Sequence, residues 1–192
     1  MMWGYLEDKF THSMVYEKMF DKKYSDPIDI LIGIGANLVP DGFETPRGGC
    51  EAAIALFPAI GIEIVHVSAW FETAPVPLTD QPWFVNAVIA ARTSLSMHDT
   101  LQGLHRIETE FGRVRQVRNE ARVLDLDLLD FGRVQHDDDR ITLPHPRMHQ
   151  RAFVLLPLQD VAPDYVHPVT GRGIGDLVAV LPEEQMIRRM SD

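Results

Sequence analysis

The chain has 192 residues, 18 Lys and Arg against 28 Asp and Glu, 45% hydrophobic residues and a single cysteine, Cys50. At about 100–200 residues per domain this is one domain, large enough to bury a core. The formal charge of −10 argues against a phosphate backbone or an anionic membrane surface as partner, and the lone thiol excludes an internal disulfide and fits a reducing, cytoplasmic setting.

All lysines (Lys9, Lys18, Lys22 and Lys23) precede the first arginine, Arg47, a shift that suggests a boundary near Asp26-Pro27. Residues 1–27 are expected to be an N-terminal extension and residues 28–192 a single domain. Trp3, Tyr5, Phe10, Tyr16, Phe20 and Tyr24 make the extension too aromatic for an ordinary disordered tail. It reads as a short helix packing on the body or a partner, or as an over-extended start with Met14 and Met19 as alternative initiators.

After Pro27, strands and helices alternate. Ile30, Ile32 and Ile34 recur with period two, which predicts a strand over 29–35. A helix is predicted over 44–57, from Ala53, Ile54 and Phe57 at helical spacing before Pro58, and then a β-branched strand over 62–67 running on toward Phe71. Pro75, Pro77 and Pro82 make 73–82 a surface loop, followed by a strand over 84–91. Ser96 and Asp99 resemble a capping box ahead of the stripe Met97, Leu101, Leu104, Ile107 and Phe111, which Gly112 ends. A strand over 123–131, a polar turn over 132–140 with a solvated Asp137-Asp138-Asp139, and a loop or short helix over 144–151 come next. The apolar stretch 153–158 and a last helix near 174–181 close the order. The predicted fold class is α+β: a ferredoxin-like split β-α-β antiparallel sheet with helices packed on one face, plus a C-terminal extension.

Within the strand over 123–131, alternation puts Asp125 and Asp127 on one face about 7 Å apart, with Leu124, Leu126 and Leu128 on the other and Asp130 on the side away from the pair. Two converging carboxylates can hold Mg²⁺ together with substrate phosphates; otherwise they form an exposed polar strand face. Arg113, Arg115, Arg118 and Arg122 fall within ten residues holding one acid, Glu120. Either that loop binds an anion through bidentate guanidinium contacts, or it reflects a chain that encodes its later positive charges as arginine. His145 could serve as a metal ligand, a phosphate contact or a packing residue, and the spacing to His149 lacks the companions of a zinc site. Gly33-x-Gly35 supports neither a dinucleotide fingerprint nor a P-loop.

Six short motifs occur in order. They are Gly35-Ala36-Asn37, Phe71-x-Thr73-x-Pro75, Gln81-Pro82-x-Phe84-x-Asn86, Glu108-x-x-x-Gly112-Arg113-x-Arg115, Arg122-x-x-Asp125-Leu-Asp127-Leu, and a segment from Pro144-His145-Pro146 to Leu158. Together they resemble the 6-hydroxymethyl-7,8-dihydropterin pyrophosphokinase family over about residues 28–181. The resemblance implies transfer of a diphosphate from ATP to the hydroxymethyl group of a reduced pterin, with two Mg²⁺ ions on Asp125 and Asp127. It implies Arg113 and Arg122 beside them as catalytic arginines, and pterin contacts from Thr73, Ala74, Val76, Phe84, Asn86 and Phe153. On the nucleotide side it implies Glu108, Arg115, Arg118, Arg140, His145 and Arg151. The chain departs from the family pattern in lacking a tryptophan and a Gly-Pro between Arg115 and Arg122, in Ala36 for serine, and in Pro146 for an aromatic. Competing functions are a non-catalytic ferredoxin-like ligand-binding module and a metal-dependent phosphohydrolase using the same aspartates.

Overall fold

The structure is a computed structural model that describes residues 23–75, 80–113 and 121–191. Residues 1–22, most of the extension read as a short helix, and residues 114–120 of the arginine loop lie outside the described residues. Strand β1 (Lys23–Ala36) pairs antiparallel with β4 (Phe84–Leu95) on one side and with β5 (Asp125–Phe131) on the other. The outer edge of β4 is shared by β2 (Ile62–Val67) at one end and β3 (Phe71–Thr73) at the other. The order β5-β1-β4-β2 is that of the split β-α-β unit, with every neighbouring pair antiparallel. β1 begins upstream of the boundary expected near Pro27. The proline falls where the β1–β4 register slips, between Lys23 and Ile28, so its missing N–H breaks no regular ladder.

Helix α1 (Pro46–Ile54) starts where Thr45 Oγ1 accepts the Gly48 N–H, with Pro46 supplying the fixed φ of a first helical residue. It ends earlier than the apolar spacing suggests, and Phe57–Ile60 form a separate 3₁₀ turn. Helix α2 (Met97–Glu110) is capped as expected, Ser96 Oγ accepting the Asp99 N–H, and Gly112 at φ 85° closes it. Leu104 and Ile107 pack with Phe57, Ile32, Leu124 and Leu126 into the larger core beneath α1 and α2. Cys50 is buried there, its thiol pushed up to about 12 by desolvation and by Glu51.

The two helices of the split β-α-β unit lie on one face, as expected, and the C-terminal extension covers the other. After the short strands β6 (His136–Asp137) and β7 (Thr142–Leu143), helices α3 (Ala152–Val161) and α4 (Ile174–Val178) lay Val154, Leu155, Leu158, Ile174 and Leu177 against Leu31, Val88 and Leu129. The result is three layers, since an apolar strand face left bare would cost about 25 cal/mol per Å² of exposed surface. A further strand, β8 (Ile187–Arg189), pairs with β3 and was not expected from the sequence.

The expected place of Asp130 needs correction. Leu128 pairs with Ile32 but Asp130 with Leu31, so a bulge at Leu129 interrupts the alternation. Asp130 thereby turns to the same side as Asp125 and Asp127. It is 2% exposed there, accepting the Tyr165 hydroxyl at 2.8 Å and the Arg133 N–H at 2.8 Å, and takes no part in the cavity described next.

Candidate active site

A cavity of about 620 Å³ opens on the α3 side of the sheet. Its floor is the end of β1, where Gly33 and Gly35 carry no side chains to fill it. Gly35 pairs with Asn86 on one neighbouring strand and Asp125 on the other, and Gly33 pairs with Asp127. At about 4.8 Å between strands, Asn86 and Asp125 stand roughly 10 Å apart across a glycine strip. A Cβ at Gly35 would come within 2.7 Å of Asn86 Oδ1, so glycine is what lets the amide lie over the floor.

On one side, Asn86 Nδ2 donates to Thr73 Oγ1 at 2.9 Å, which orients the amide. Ala74 and Pro75 continue this wall, and Ala74 N–H donates to Met186 O at 3.1 Å, tying it to the segment that leads into β8. Phe84 from β4 and Phe153 from α3 add aromatic surface, and the Arg151 guanidinium lies 5.3 Å from the Phe153 ring centre. Val76 lies outside the described residues.

Across the floor, Asp125 is gripped by two arginines, Arg122 through Oδ2 and Arg113 through Oδ1, the latter at 2.5 Å. Asp127 is less well neutralised. Its nearest cation among the described residues is Arg151, at 3.9 Å. Desolvation and the Asp125 charge raise its pKa, against the lowering pull of Arg151, Arg122 and Arg113. An anion held beside another carboxylate suits a hard divalent cation, which prefers oxygen ligands. His145, Arg147 and Arg151 complete this side. Burial, with Arg151 and Arg147 nearby, pushes His145 down to about 4. The ring is therefore neutral near pH 7, and its Nδ1 accepts the Arg147 N–H at 3.2 Å, leaving the proton on Nε2.

Glu108 and Arg140, both expected near ATP, do not line the cavity. Glu108 is 1% exposed on α2; its Oε1 accepts the Leu126 N–H at 2.8 Å and an Arg113 guanidinium bond, so it positions Arg113 from beneath. Arg140 is exposed in the turn between β6 and β7, its N–H bonded to Asp138 Oδ1 at 2.8 Å. Arg115 and Arg118 lie outside the described residues.

Several lining residues carried no role in the sequence reading: His105, Arg147, Gln150 and Gln185. Asn37, present in a motif but given no role, is a buried clamp. Its Oδ1 accepts the Arg122 N–H at 2.7 Å, and its Nδ2 donates to Gln81 Oε1 at 3.3 Å and Pro82 O at 3.2 Å. The clamp joins the arginine side of the cavity to the Asn86 side. Gln185 does similar work, accepting the Ala152 N–H at 2.8 Å and donating to Gln150 O at 2.9 Å, thereby capping α3 just before Phe153.

A sequence profile of the family described as 7,8-dihydro-6-hydroxymethylpterin-pyrophosphokinase (HPPK) matches residues 31–163. The chain is 41% identical over 160 residues to the 2-amino-4-hydroxy-6-hydroxymethyldihydropteridine pyrophosphokinase of Pseudomonas aeruginosa, covering 83% of this chain and 95% of that protein. It is 39% identical over 150 residues to the enzyme of the same name from Synechocystis sp., covering 77% and 73% respectively. Among solved structures it is similar in fold to Plasmodium falciparum HPPK-DHPS, with a TM-score of 0.63 at 12% identity, covering 86% of this chain and 46% of that one.

Proposed function

Because the chain belongs to the 7,8-dihydro-6-hydroxymethylpterin-pyrophosphokinase family, and transfers diphosphate from ATP to a hydroxymethyldihydropterin in folate synthesis, we propose that the pterin lies on the Asn86 side of the glycine floor and the triphosphate on the Asp125 side. The observation that carries this reading is the register Asn86–Gly35–Asp125, which sets an amide reader and a carboxylate pair on either side of a strip without side chains.

Asn86 can both donate to and accept from the amide edge of the ring, Thr73 holds that amide in place, and Ala74 follows along the same wall, with a contact from Val76 expected from the family resemblance alone. Phe84 and Phe153 cover the ring faces. Asp125 and Asp127 hold Mg²⁺, expected as two ions, which supplies charge neutralisation to the phosphates when bound. In the free protein Arg113 and Arg122 are occupied with Asp125 and are released toward phosphate oxygens when the ligands arrive. Arg151 and Arg147 face the same space, and His145 offers a neutral N–H donor rather than a positive charge. Glu108 acts through Arg113, while nucleotide contacts from Arg115, Arg118 and Arg140 are carried over from the family resemblance, Arg140 standing outside the cavity in the free protein.

The hydroxymethyl oxygen attacks the β-phosphorus, the bond from that phosphorus to the oxygen bridging it to the α-phosphate breaks, AMP leaves carrying that oxygen, and the hydroxyl proton passes to solvent. Little covalent chemistry falls to the chain itself; it aligns two substrates and surrounds the transferred group with positive charge. Among the described residues no helix is long and apolar enough to cross a membrane, and the reduced, buried Cys50 fits a cytoplasmic setting.

Incubation with ATP, Mg²⁺ and the reduced pterin, following AMP, tests the reading. Pterin-dependent AMP that is lost in Asp127→Asn supports it. Pterin-independent release of phosphate would make the site a phosphohydrolase instead, and silence with binding retained would leave a ligand-binding module.

A further inference from the structure

Away from the cavity, His98 in the first turn of α2, His136 in β6 and Asp138 in the turn after it meet on the surface. Asp138 Oδ2 lies 2.8 Å from His98 Nε2 and 3.0 Å from His136 Nε2, and one donor atom from each of the three residues falls within 4.8 Å of the others. The second carboxylate oxygen is already committed. Asp138 Oδ1 accepts the N–H groups of Arg140 at 2.8 Å and Ile141 at 2.9 Å, which fixes the carboxylate so that Oδ2 faces both imidazoles. Asp137 is separately engaged with the Thr142 hydroxyl across the β6–β7 pair at 2.6 Å. The run of three aspartates is therefore more than a solvated turn.

We propose that His98, His136 and Asp138 form a second metal site, distinct from the aspartate pair, for a first-row transition cation of the Zn²⁺ type. Two imidazole nitrogens and one carboxylate oxygen suit Zn²⁺ or Co²⁺, whereas Mg²⁺ prefers oxygen donors alone in octahedral array. Tetrahedral Zn²⁺ with bonds of about 2.0–2.1 Å sets its ligand atoms about 3.3 Å apart. The two carboxylate–imidazole separations are a few tenths of an ångström short of that. The side chains, 27%, 33% and 31% exposed, have room to make the adjustment and to admit a water as fourth ligand. Each N–H bridge to Oδ2 then gives way to a nitrogen–metal bond, the Nε2 proton passing to Nδ1 or to solvent. His98 and Asp138 are 40 residues apart, so the ion staples the start of α2 to the β6–β7 hairpin. His105 and Arg113, at and beyond the other end of that helix, line the cavity, yet the three proposed ligands do not.

The test is a titration of metal-free protein with Zn²⁺ in excess Mg²⁺, on wild type, His98→Gln, His136→Gln and Asp138→Asn. Co²⁺ serves as a second probe, because a tetrahedral centre absorbs strongly in the visible. The wild type is expected to take one Zn²⁺ per chain at this site, with affinity falling at least tenfold in each variant and the intense Co²⁺ bands disappearing. His66→Gln, in β2, is expected to bind as the wild type does, and His98→Gln and His136→Gln are expected to keep normal Mg²⁺-dependent turnover. Melting temperatures within a few degrees of the wild type establish that the variants fold. Zn²⁺ affinity unchanged in the His98 and His136 variants, or Co²⁺ spectra that the substitutions do not alter, would overturn the site.

Discussion

At Asp127, catalysis and stability pull in opposite directions. Burial and the neighbouring Asp125 raise its pKa, so the folded chain holds a proton there more readily than the unfolded chain, and metal-free stability declines as pH rises from about 3.9 through the raised folded value. Asp127→Asn removes the repelling charge while keeping the shape. The variant is expected to melt at a higher temperature than wild type in chelator at pH 7, yet to lose turnover by about a hundredfold or more in Mg²⁺. A lower melting temperature in chelator would mean that Arg151 already stabilises the anion in full. Chelation of Mg²⁺ from the wild type is expected to stop AMP formation altogether. His145 has the opposite sign of effect: its folded value, about 4, lies below the usual 6.5, so the stability it contributes is present above about pH 6.5 and is lost as pH falls toward 4. Adding ATP brings negative charge to the ring, and its NMR titration midpoint is expected to move up. A midpoint indifferent to ATP would remove His145 from the phosphate side.

Among the elements, β1 matters most, because its end is both sheet and cavity floor. Gly35→Ala places a methyl against Asn86 Oδ1 while Nδ2 remains held by Thr73, so the amide must turn off the floor. Pterin affinity is expected to fall about tenfold or more, on the scale of about 1–3 kcal/mol for a misplaced buried hydrogen-bond partner, with little change toward a non-hydrolysable ATP analogue. Calorimetry with each ligand separates the two, and equal losses would place the methyl's effect in the fold. The N-terminal end of α2 offers a contrasting case. Ser96→Ala removes the cap and is expected to cost about 1 kcal/mol by denaturant unfolding, with the KM for both substrates unchanged.

For the whole molecule, the C-terminal layer is what distinguishes this chain from a bare split β-α-β unit. It is fastened to the sheet by Leu129 and its neighbours and by the buried bond from Tyr165 to Asp130, which raises the Tyr165 pKa through burial and the facing carboxylate. Tyr165→Phe strips Asp130 of one of its donors. The expected cost is about 1–3 kcal/mol in denaturant unfolding, with KM values unaltered because neither residue touches the cavity. A change in pterin KM without loss of stability would show that the layer transmits strain to Phe153. The same layer brings β8 and Gln185 to the pterin wall, so the last dozen residues help shape the site although they hold no reactive group.

Periodicity and short spacing were enough to read much of this in advance. Leu124, Leu126 and Leu128 against Asp125 and Asp127 showed which face of β5 would carry charge, Ser96 to Gly112 outlined α2, and six ordered motifs pointed to the family. The first two features are local, since a strand or helix imposes its own repeat on the chain, whereas the family was legible only as a resemblance carried by motifs spread along the sequence. What only the tertiary structure decided depends on a partner distant in sequence. Asp130 changes face because β1 meets β5 with a bulge; Glu108 lies under Arg113 because α2 packs on β5; Asn37 clamps Arg122 and Gln81 because three loops converge. His98, His136 and Asp138 likewise come together across 40 residues. No repeat within any of those segments encodes such meetings, since they arise from how the three layers settle to bury the apolar faces of a single sheet.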